Sequence, residues 1–166
     1  MSALTLLTMA GVAGRVPRVE LGTAVLLPAR GHLLSTAICY EVVFPDLVRG
    51  TARGADLLTT ITNDAWFGHT SAPYQHFEMA RMRAIEQGRY LVRSANTGIS
   101  GIVDPYGRVL IRTNLFETVA VVGEARFVQA KTVYATIGDL AVFLSAAIVV
   151  VALSWAFIEG RKRHAA

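Results

Sequence analysis

The sequence is poor in the residue types that most often build catalytic and metal sites. Its 166 residues include one cysteine, Cys39, and two lysines, Lys131 and Lys162. A single cysteine excludes a disulfide within the chain. The histidines are His32, His69, His76 and His164. Their spacing fits no zinc site, and no glycine-rich phosphate loop follows a predicted strand. The sequence therefore predicts neither a metal nor a soluble cofactor.

The net positive charge comes mainly from the C-terminal end. Three of the 16 basic residues are Arg161, Lys162 and Arg163, which leaves 13 basic against 12 acidic residues in the rest of the chain. No stripe of basic residues with interleaved aromatics is present. Because nucleic-acid-binding proteins carry such a stripe, we predict no nucleic-acid partner.

A long apolar run precedes that basic tail. Residues 140–158 hold no charged side chain, and a helix of this length spans about 28 Å, close to the hydrocarbon core of a bilayer. We predict a transmembrane helix over 138–160; the alternative is a buried core helix. Asp139 precedes the run and the basic residues follow it, so the positive-inside rule places the tail, residues 161–166, in the cytoplasm.

The stretch that ends at the cysteine indicates a nucleophile. Residues 35–38 predict a buried strand that stops at Cys39, and a helix with Glu41 in its first turn is predicted to follow. A thiolate is stabilised at the start of a helix, so Cys39 is a candidate nucleophile. On these residues alone, the alternative is that Cys39 is a small buried apolar side chain.

Strand and helix patterns alternate through the rest of the chain, which predicts an α/β fold. We predict further strands at 23–27, 56–62, 90–94, 99–103, 109–112, 118–122 and 126–130, and helices at 40–53 and 74–89. The helix 74–89 is predicted to bury Phe77, Ala80, Met82 or Ala84, and Ile85 on one face. Its Arg81 and Arg83 are predicted to be solvated or structurally paired.

The loop 63–73 carries two adjacent aromatic residues, Trp66 and Phe67. Near a nucleophile they could line an apolar pocket or form a lid. The alternative is that both plug an edge of the core.

Five motifs occur in an order that resembles one known family. They are Ile38-Cys39-Tyr40-Glu41 with Phe44-Pro45, Thr62-Asn63-Asp64-Ala65-Trp66-Phe67-Gly68, Gln75-His76, Ala80-Arg81-Met82-Arg83-Ala84 and Arg93-Ser94-Ala95-Asn96-Thr97-Gly98. Together they resemble the bacterial apolipoprotein N-acyltransferases, a branch of the nitrilase (carbon–nitrogen hydrolase) superfamily. The resemblance runs from about residue 16 to residue 160.

This resemblance implies a fold and a chemistry. The fold is an α-β-β-α sandwich, with residues 1–137 as the C-terminal half of the nitrilase-like domain, followed by the transmembrane helix. Cys39 would carry an acyl chain as a thioester, taken from a membrane phospholipid and passed to the N-terminal amine of a diacylglyceryl-modified apolipoprotein. Tyr40 and Glu41 would support the site. Asn63, Trp66 and Phe67 would border the acyl pocket.

The same resemblance implies a location at the bacterial inner membrane, with the globular part on the periplasmic face. The chain departs from the family pattern in one respect. The superfamily also uses a glutamate and a lysine upstream of the cysteine, but no lysine precedes Cys39, and the acidic residue before it, Glu20, lies too close to match.

We therefore expect that Met1 falls inside a longer reading frame and that the isolated chain is inactive. Two further alternatives stay open. One is a membrane-tethered nitrilase-type amidase that acts on a small amide. The other is a membrane-anchored protein without catalytic activity that binds lipid or a partner.

Overall fold

The centre of the fold is one six-stranded sheet in the computed structural model, which describes residues 26–164. Its strands are β1 (Leu26–Ala29), β2 (His32–Ile38), β3 (Leu57–Asn63), β4 (Leu91–Asn96), β5 (Gly101–Val103) and β6 (Val109–Arg112). They lie side by side in chain order. β2, β3 and β4 are parallel, whereas β1, β5 and β6 add antiparallel pairs on the outside. The carboxyl ends of β2, β3 and β4 therefore meet at one edge of the sheet, here called the carboxyl edge.

Helices connect the parallel strands, as parallel pairing requires. The 3₁₀ helix Cys39–Val43 and α1 (Pro45–Thr51) join β2 to β3, and the 3₁₀ helix Ala65–Phe67 and α2 (Ala72–Gln87) join β3 to β4; α3 (Val133–Ile137) and α4 (Leu140–His164) follow the sheet. Phe77, Ala80 and Ala84 of α2 pack with Leu58 of β3 and Leu91 of β4 in the buried core. Complete burial of a side chain such as Phe77 stabilises the fold by about 1.5–3 kcal/mol.

The predicted helix 40–53 is two helices instead of one, so that prediction was wrong in detail. Pro45 starts α1, and Phe44 before it has an extended backbone with φ −86° and ψ 106°. A residue before proline avoids the helical region because the proline ring clashes with its backbone. The chain therefore breaks at Phe44 and changes direction immediately after the nucleophile segment.

The predicted helix 74–89 is confirmed as α2 with shifted ends. It stops at Gln87 because Gly88 takes a left-handed conformation, φ 64°. Phe77, Ala80 and Ala84 are buried as predicted, whereas Met82 and Ile85 are 47% and 37% exposed. Of the alternatives Met82 and Ala84, the buried one is therefore Ala84, and Ile85 was wrongly assigned to the core face.

The two arginines of α2 are structurally paired, as predicted. Arg81 contacts Glu78, and the buried Arg83 contacts Glu86 at 2.8 Å.

The predicted strands 118–122 and 126–130 are not formed. This stretch has no regular secondary structure, but hydrogen bonds to Asp56 hold residues 128 and 129 beside the sheet. The Val128 N–H donates to the Asp56 carbonyl at 2.9 Å, and Gln129 Nε2 donates to the Asp56 carboxylate at 2.7 Å. Phe127 stacks on His32 with ring centroids 3.8 Å apart. Val119, Val122 and Phe127 are 45%, 79% and 43% exposed, so the apolar alternation here does not mark a half-buried strand.

The first predicted strand, 23–27, lies mostly outside the described residues. The strand in this region, β1, runs through Pro28 to Ala29. An edge strand tolerates proline because one side of it needs no ladder hydrogen bond.

The long apolar helix is confirmed. Within α4, the segment Leu140–Gly160 has a mean hydropathy of 2.5, and none of it is buried against the rest of the chain. The alternative of a buried core helix is therefore wrong, and the helix is long and apolar enough to cross a membrane. Gly138, with φ 58°, separates it from α3.

Candidate active site

Cys39 occupies a strained turn at the carboxyl edge. β2 ends at Ile38, and the 3₁₀ helix begins at Cys39 with φ 54°. The left-handed region costs a non-glycine residue about 1–3 kcal/mol, so it is occupied where surrounding contacts enforce it. The predicted strand-to-helix junction at the cysteine is confirmed, and the thiol residue is half-buried there.

The Glu41 side chain stabilises this turn through a contact with Ile38, the last residue of β2. It lies in the first turn of the 3₁₀ helix, as predicted, and its carboxylate accepts a hydrogen bond from the Ile38 N–H at 2.7 Å. A carboxylate in this position satisfies an amide that the helix itself leaves without a partner. Glu41 therefore fixes the backbone on one side of Cys39.

A buried ionic cluster, formed by Asp64, His76 and Arg93, underlies the turn. Asp64 Oδ1 lies 3.0 Å from His76 Nδ1, and Asp64 Oδ2 accepts a hydrogen bond from Arg93 Nη2 at 2.9 Å. The three side chains are at most 2% exposed. His76 Nε2 lies 3.3 Å from the carbonyl oxygen of Cys39, which connects the cluster to the turn.

The electrostatics of the cluster favour charged side chains. Burial would raise the pKa of Asp64, but the hydrogen bond from His76 and the positive charge of Arg93 outweigh it, so its pKa lies below the ordinary value. Burial lowers the pKa of Arg93, and the Asp64 charge opposes that effect. A negative charge on Cys39 also favours the charged form of Arg93. The guanidinium therefore adds positive potential beneath the thiol.

Sequence reasoning did not assign this cluster to the site. All three residues occur in the motifs that resemble the family, and His76 was in addition excluded as a zinc ligand, but none was assigned a role. A usable signal was present: Asp64 directly follows β3, and Arg93 lies on the next parallel strand. Polar residues in such positions meet at the carboxyl edge of a parallel sheet, where α/β proteins place their sites.

The predicted loop residues lie beside this turn. Asn63 organises the loop, since its side-chain oxygen accepts hydrogen bonds from the Ala65 N–H at 3.1 Å and from Asn96 at 3.3 Å. Trp66 stacks on Phe67 with centroids 4.7 Å apart, and the Phe67 ring lies 5.8 Å from that of His76. Trp66 is 70% exposed, so the alternative that both aromatics plug the core is wrong for Trp66.

Further apolar side chains surround Cys39 on the surface. Ile38, Tyr40 and Phe44 are about half exposed, and Tyr40 contacts both Phe44 and the ring of His76, at 5.9 and 6.0 Å. The structure thus brings Cys39, with its neighbours Tyr40 and Glu41, next to the aromatic loop. Exposed apolar side chains therefore flank Cys39 at the carboxyl edge.

Lys131 does not lie at this edge. The two neighbours of Lys131 in the chain show where it lies. The Ala130 carbonyl accepts a hydrogen bond from Arg89, and the Thr132 hydroxyl contacts the Glu86 carbonyl. Both contacts lie where β4 begins, at the opposite edge of the sheet from Cys39. Lys162 follows the apolar segment of α4, and Glu20 lies outside the described residues. Over residues 26–164, no three or more His, Cys, Asp or Glu side chains are grouped to hold a metal ion.

Comparison with known proteins gives a consistent result. The carbon-nitrogen hydrolase family model matches residues 8–133. An apolipoprotein N-acyltransferase of Azotobacter vinelandii is 41% identical over 146 residues, which cover 85% of this chain and 27% of that protein. The enzyme of the same name from Pseudomonas putida is 39% identical over 136 residues, covering 82% of this chain and 26% of that protein. The chain thus spans about a quarter of the length of these curated relatives.

The fold agrees with a solved structure. Saccharomyces cerevisiae Nit3, a member of branch 10 of the nitrilase superfamily, aligns with a TM-score of 0.51 and 22% sequence identity, over 58% of this chain and 38% of that one. At this identity the likeness shows the fold alone. Because the family model covers most of the chain and the sheet agrees with a nitrilase fold, the chain belongs to the carbon-nitrogen hydrolase family.

Proposed function

We propose that Cys39 is the acyl-carrying nucleophile of an apolipoprotein N-acyltransferase. The observation that supports this most is the position of Cys39 at the carboxyl edge, in a strained turn over a buried cation and beside exposed apolar side chains. The name of the relatives supports an apolipoprotein as the acceptor; a phospholipid as the acyl donor and a diacylglyceryl modification on the acceptor are what the family resemblance of the sequence motifs implies.

The proposed reaction has two transfers at one sulfur atom. The Cys39 thiolate attacks the acyl ester carbonyl of the phospholipid, an S–C bond forms, and the ester C–O bond breaks as the lysophospholipid oxygen takes a proton. The N-terminal amine of the lipoprotein then attacks the thioester, a C–N bond forms, and the thiolate leaves while the amine loses its proton. Each tetrahedral intermediate needs hydrogen-bond donors for its oxyanion.

The surface around Cys39 suits an acyl chain better than a small amide. Ile38, Tyr40, Phe44 and Trp66 are each about half exposed or more. An amidase for small amides would need an enclosed pocket lined with polar groups. Burial of apolar area contributes roughly 25 cal/mol per Å², so an alkyl chain gains from each of these side chains.

The second support is the apolar helix. Leu140–Gly160 is 21 residues long, or about 31 Å as a helix, which matches a hydrocarbon core of about 30 Å. We infer that this helix anchors the domain to the bacterial inner membrane, with the domain on the periplasmic face and the C-terminus in the cytoplasm. This arrangement keeps Cys39 near its lipid substrate.

A chimaera tests the assignment. We would replace the matching segment of the Azotobacter vinelandii relative by this chain, supply phospholipid with a labelled acyl chain, and look for a hydroxylamine-sensitive label on the protein. We expect the label with Cys39 and none after Cys39→Ala, while circular dichroism shows both proteins folded. Acyl transfer by the Cys39→Ala chimaera would refute the proposal. A folded chimaera that takes no label, whereas the unaltered relative does, would favour a membrane-anchored protein without catalytic activity.

A further inference from the structure

We propose that His76 is a positioning residue for the nucleophile: its Nε2–H donates to the Cys39 carbonyl and holds the thiol turn in the left-handed conformation. The inference rests on the proposed function only for the role of Cys39 as nucleophile. His76 lies on α2, 37 positions away along the chain, and its Nε2 is 3.3 Å from the Cys39 carbonyl oxygen. It contacts the start of the 3₁₀ helix Cys39–Val43, whose last carbonyl accepts from Arg83 of the same helix α2 at 3.5 Å.

The surroundings of His76 fix where its proton lies. Nδ1 lies 3.0 Å from the Asp64 carboxylate and 3.2 Å from Arg93 Nη2. A neutral ring protonated only on Nδ1 would direct the Nε2 lone pair at the Cys39 carbonyl, so that two acceptors would face each other. A neutral ring protonated only on Nε2 would accept from Arg93 at Nδ1 but would also set that lone pair 3.0 Å from the Asp64 carboxylate, whereas a doubly protonated ring donates from Nδ1 to Asp64 and from Nε2 to the Cys39 carbonyl. Both forms place a proton on Nε2.

The turn needs such a contact. Cys39 has φ 54°, a conformation that neighbouring contacts must enforce in a residue other than glycine. Glu41 fixes the strand side through the Ile38 N–H, and His76 fixes the carbonyl on the helix side. The His76 side chain is 2% exposed and anchored by Asp64, so it does not have to be ordered when substrate binds. His76 therefore holds the turn at Cys39 in its conformation before substrate binds.

The position of the turn matters because of the buried cation. A negative charge on Cys39 and the charge of Arg93 attract each other. A turn that relaxes away from its left-handed conformation moves the sulfur relative to this guanidinium and weakens the attraction. Loss of the His76 hydrogen bond therefore takes the sulfur out of the position in which the turn holds it relative to Arg93, and slows its attack on an electrophile.

Alkylation kinetics test the proposal without acyl transfer. The full 166-residue chain in detergent micelles has one cysteine, so iodoacetamide labelling reports on Cys39, and Cys39→Ala gives the blank. We expect His76→Asn, whose amide is too short to reach the carbonyl, to react about tenfold more slowly, as expected for one lost hydrogen bond. His76→Gln, whose amide nitrogen reaches further, should recover most of the rate.

A matched control is available in His69, which is exposed and contacts Phe116. His69→Asn should leave the alkylation rate unchanged. The proposal is overturned if His76→Asn reacts as fast as the unaltered chain or faster. It is also overturned if the Asn and Gln variants lose the same rate and the same thermal stability, since His76 would then be a packing residue only.

A second measurement requires no variant of His76. Long-range ¹H–¹⁵N correlation spectra of the unaltered chain at neutral pH distinguish Nε2–H from Nδ1–H, with His76 assigned by substituting the other histidines singly. We expect a proton on Nε2; a ring protonated only on Nδ1 would refute the proposal. Because neither readout depends on a thioester, failure of the acyl-transfer assay would not be confused with failure of this inference.

Discussion

Gly98 leaves no room for a side chain, and replacing it by alanine should break the buried ionic cluster. An alanine Cβ at Gly98 would lie 2.7 Å from Asp64 Cγ and 2.8 Å from Asp64 Cβ, and closer still to Oδ2. Asp64 is held by Thr62, His76 and Arg93, so it has no free rotation with which to avoid the new methyl group. Real Cβ atoms essentially never come closer than 3.0 Å to a neighbour.

The expected cost follows from two effects. Overpacking of a core position costs about 1–3 kcal/mol. Displacing Asp64 also leaves Arg93 buried without its counter-charge, and breaking a buried pair in this way costs about 3–5 kcal/mol. The two effects overlap, so we expect Gly98→Ala to lower the free energy of unfolding by at least about 3 kcal/mol, a large share of the 5–15 kcal/mol typical of a domain.

Unfolding of the chain by guanidinium chloride in detergent measures this loss. The transition is followed by circular dichroism, and the free energy of unfolding is extrapolated linearly to zero denaturant. Gly50 in α1 provides the control, because an added Cβ there meets nothing within 4 Å. Gly50→Ala should be neutral or stabilise by up to about 1 kcal/mol through better helix propensity. If Gly98→Ala unfolds within about 1 kcal/mol of the unaltered chain, the packing argument for the cluster is wrong.

Further predictions concern acid stability, the acyl surface, topology and turnover. The pKa of Asp56 is held below its ordinary value of 3.8, first by the hydrogen bond from the Leu33 N–H. The ionised Asp56 therefore stabilises the folded chain fully above pH 3.8, and this contribution is lost as the pH falls through the pKa of Asp56 in the folded state. Asp56→Asn should flatten the loss of stability in an acid titration below about pH 4, and an unchanged acid limb would contradict this. Trp66→Ala should change the free energy of unfolding by less than about 0.5 kcal/mol but weaken binding of a fluorescent phospholipid. Tyr106→Ala removes an exposed aromatic side chain at the opposite edge of the sheet and should leave that binding unchanged. Equal binding by the unaltered chain and both variants would refute the role of Trp66. Reporter fusions after Ala166 should be active in the cytoplasm, and periplasmic activity there would reverse the orientation. The folded chain alone should show no acyl turnover, because each missing proton-transfer step is worth about 10²–10⁴-fold; a stoichiometric labelled thioester on it would overturn this expectation.

Much of the fold was predictable because it depends on local patterns. The strand ending at Cys39, the acidic residue in the next turn and the long apolar helix each follow from a run of a few neighbouring residues. The predictions failed where proline and tertiary packing decide. Pro45 divides one predicted helix into two, and residues 118–130 show apolar alternation although Asp56 holds part of them as an irregular segment.

The site was predictable only in part, for a related reason. Cys39, Tyr40 and Glu41 are consecutive, so the motif contains them all. Asp64 and His76 reach the turn from separate elements, and their partnership depends on strand order and register. No spacing along the chain encodes that contact, and a search for metal ligands could not detect it.

The joint at Gly138 has a mechanical consequence. The side chain of Arg49 in α1 occupies the space where a Cβ of Gly138 would lie, with its Cζ 2.9 Å from that point. Asp139, the next residue, accepts a hydrogen bond from Tyr134 at 3.1 Å. The connection between α3 and α4 is therefore held by Arg49 at Gly138 and by Tyr134 at Asp139. α1 is separated from the thiol turn by Phe44 alone. With α4 in a bilayer, a change in the tilt of that helix would therefore be passed to α1 and to the thiol turn, and a thicker or thinner membrane would change the distance of the sulfur from the lipid surface.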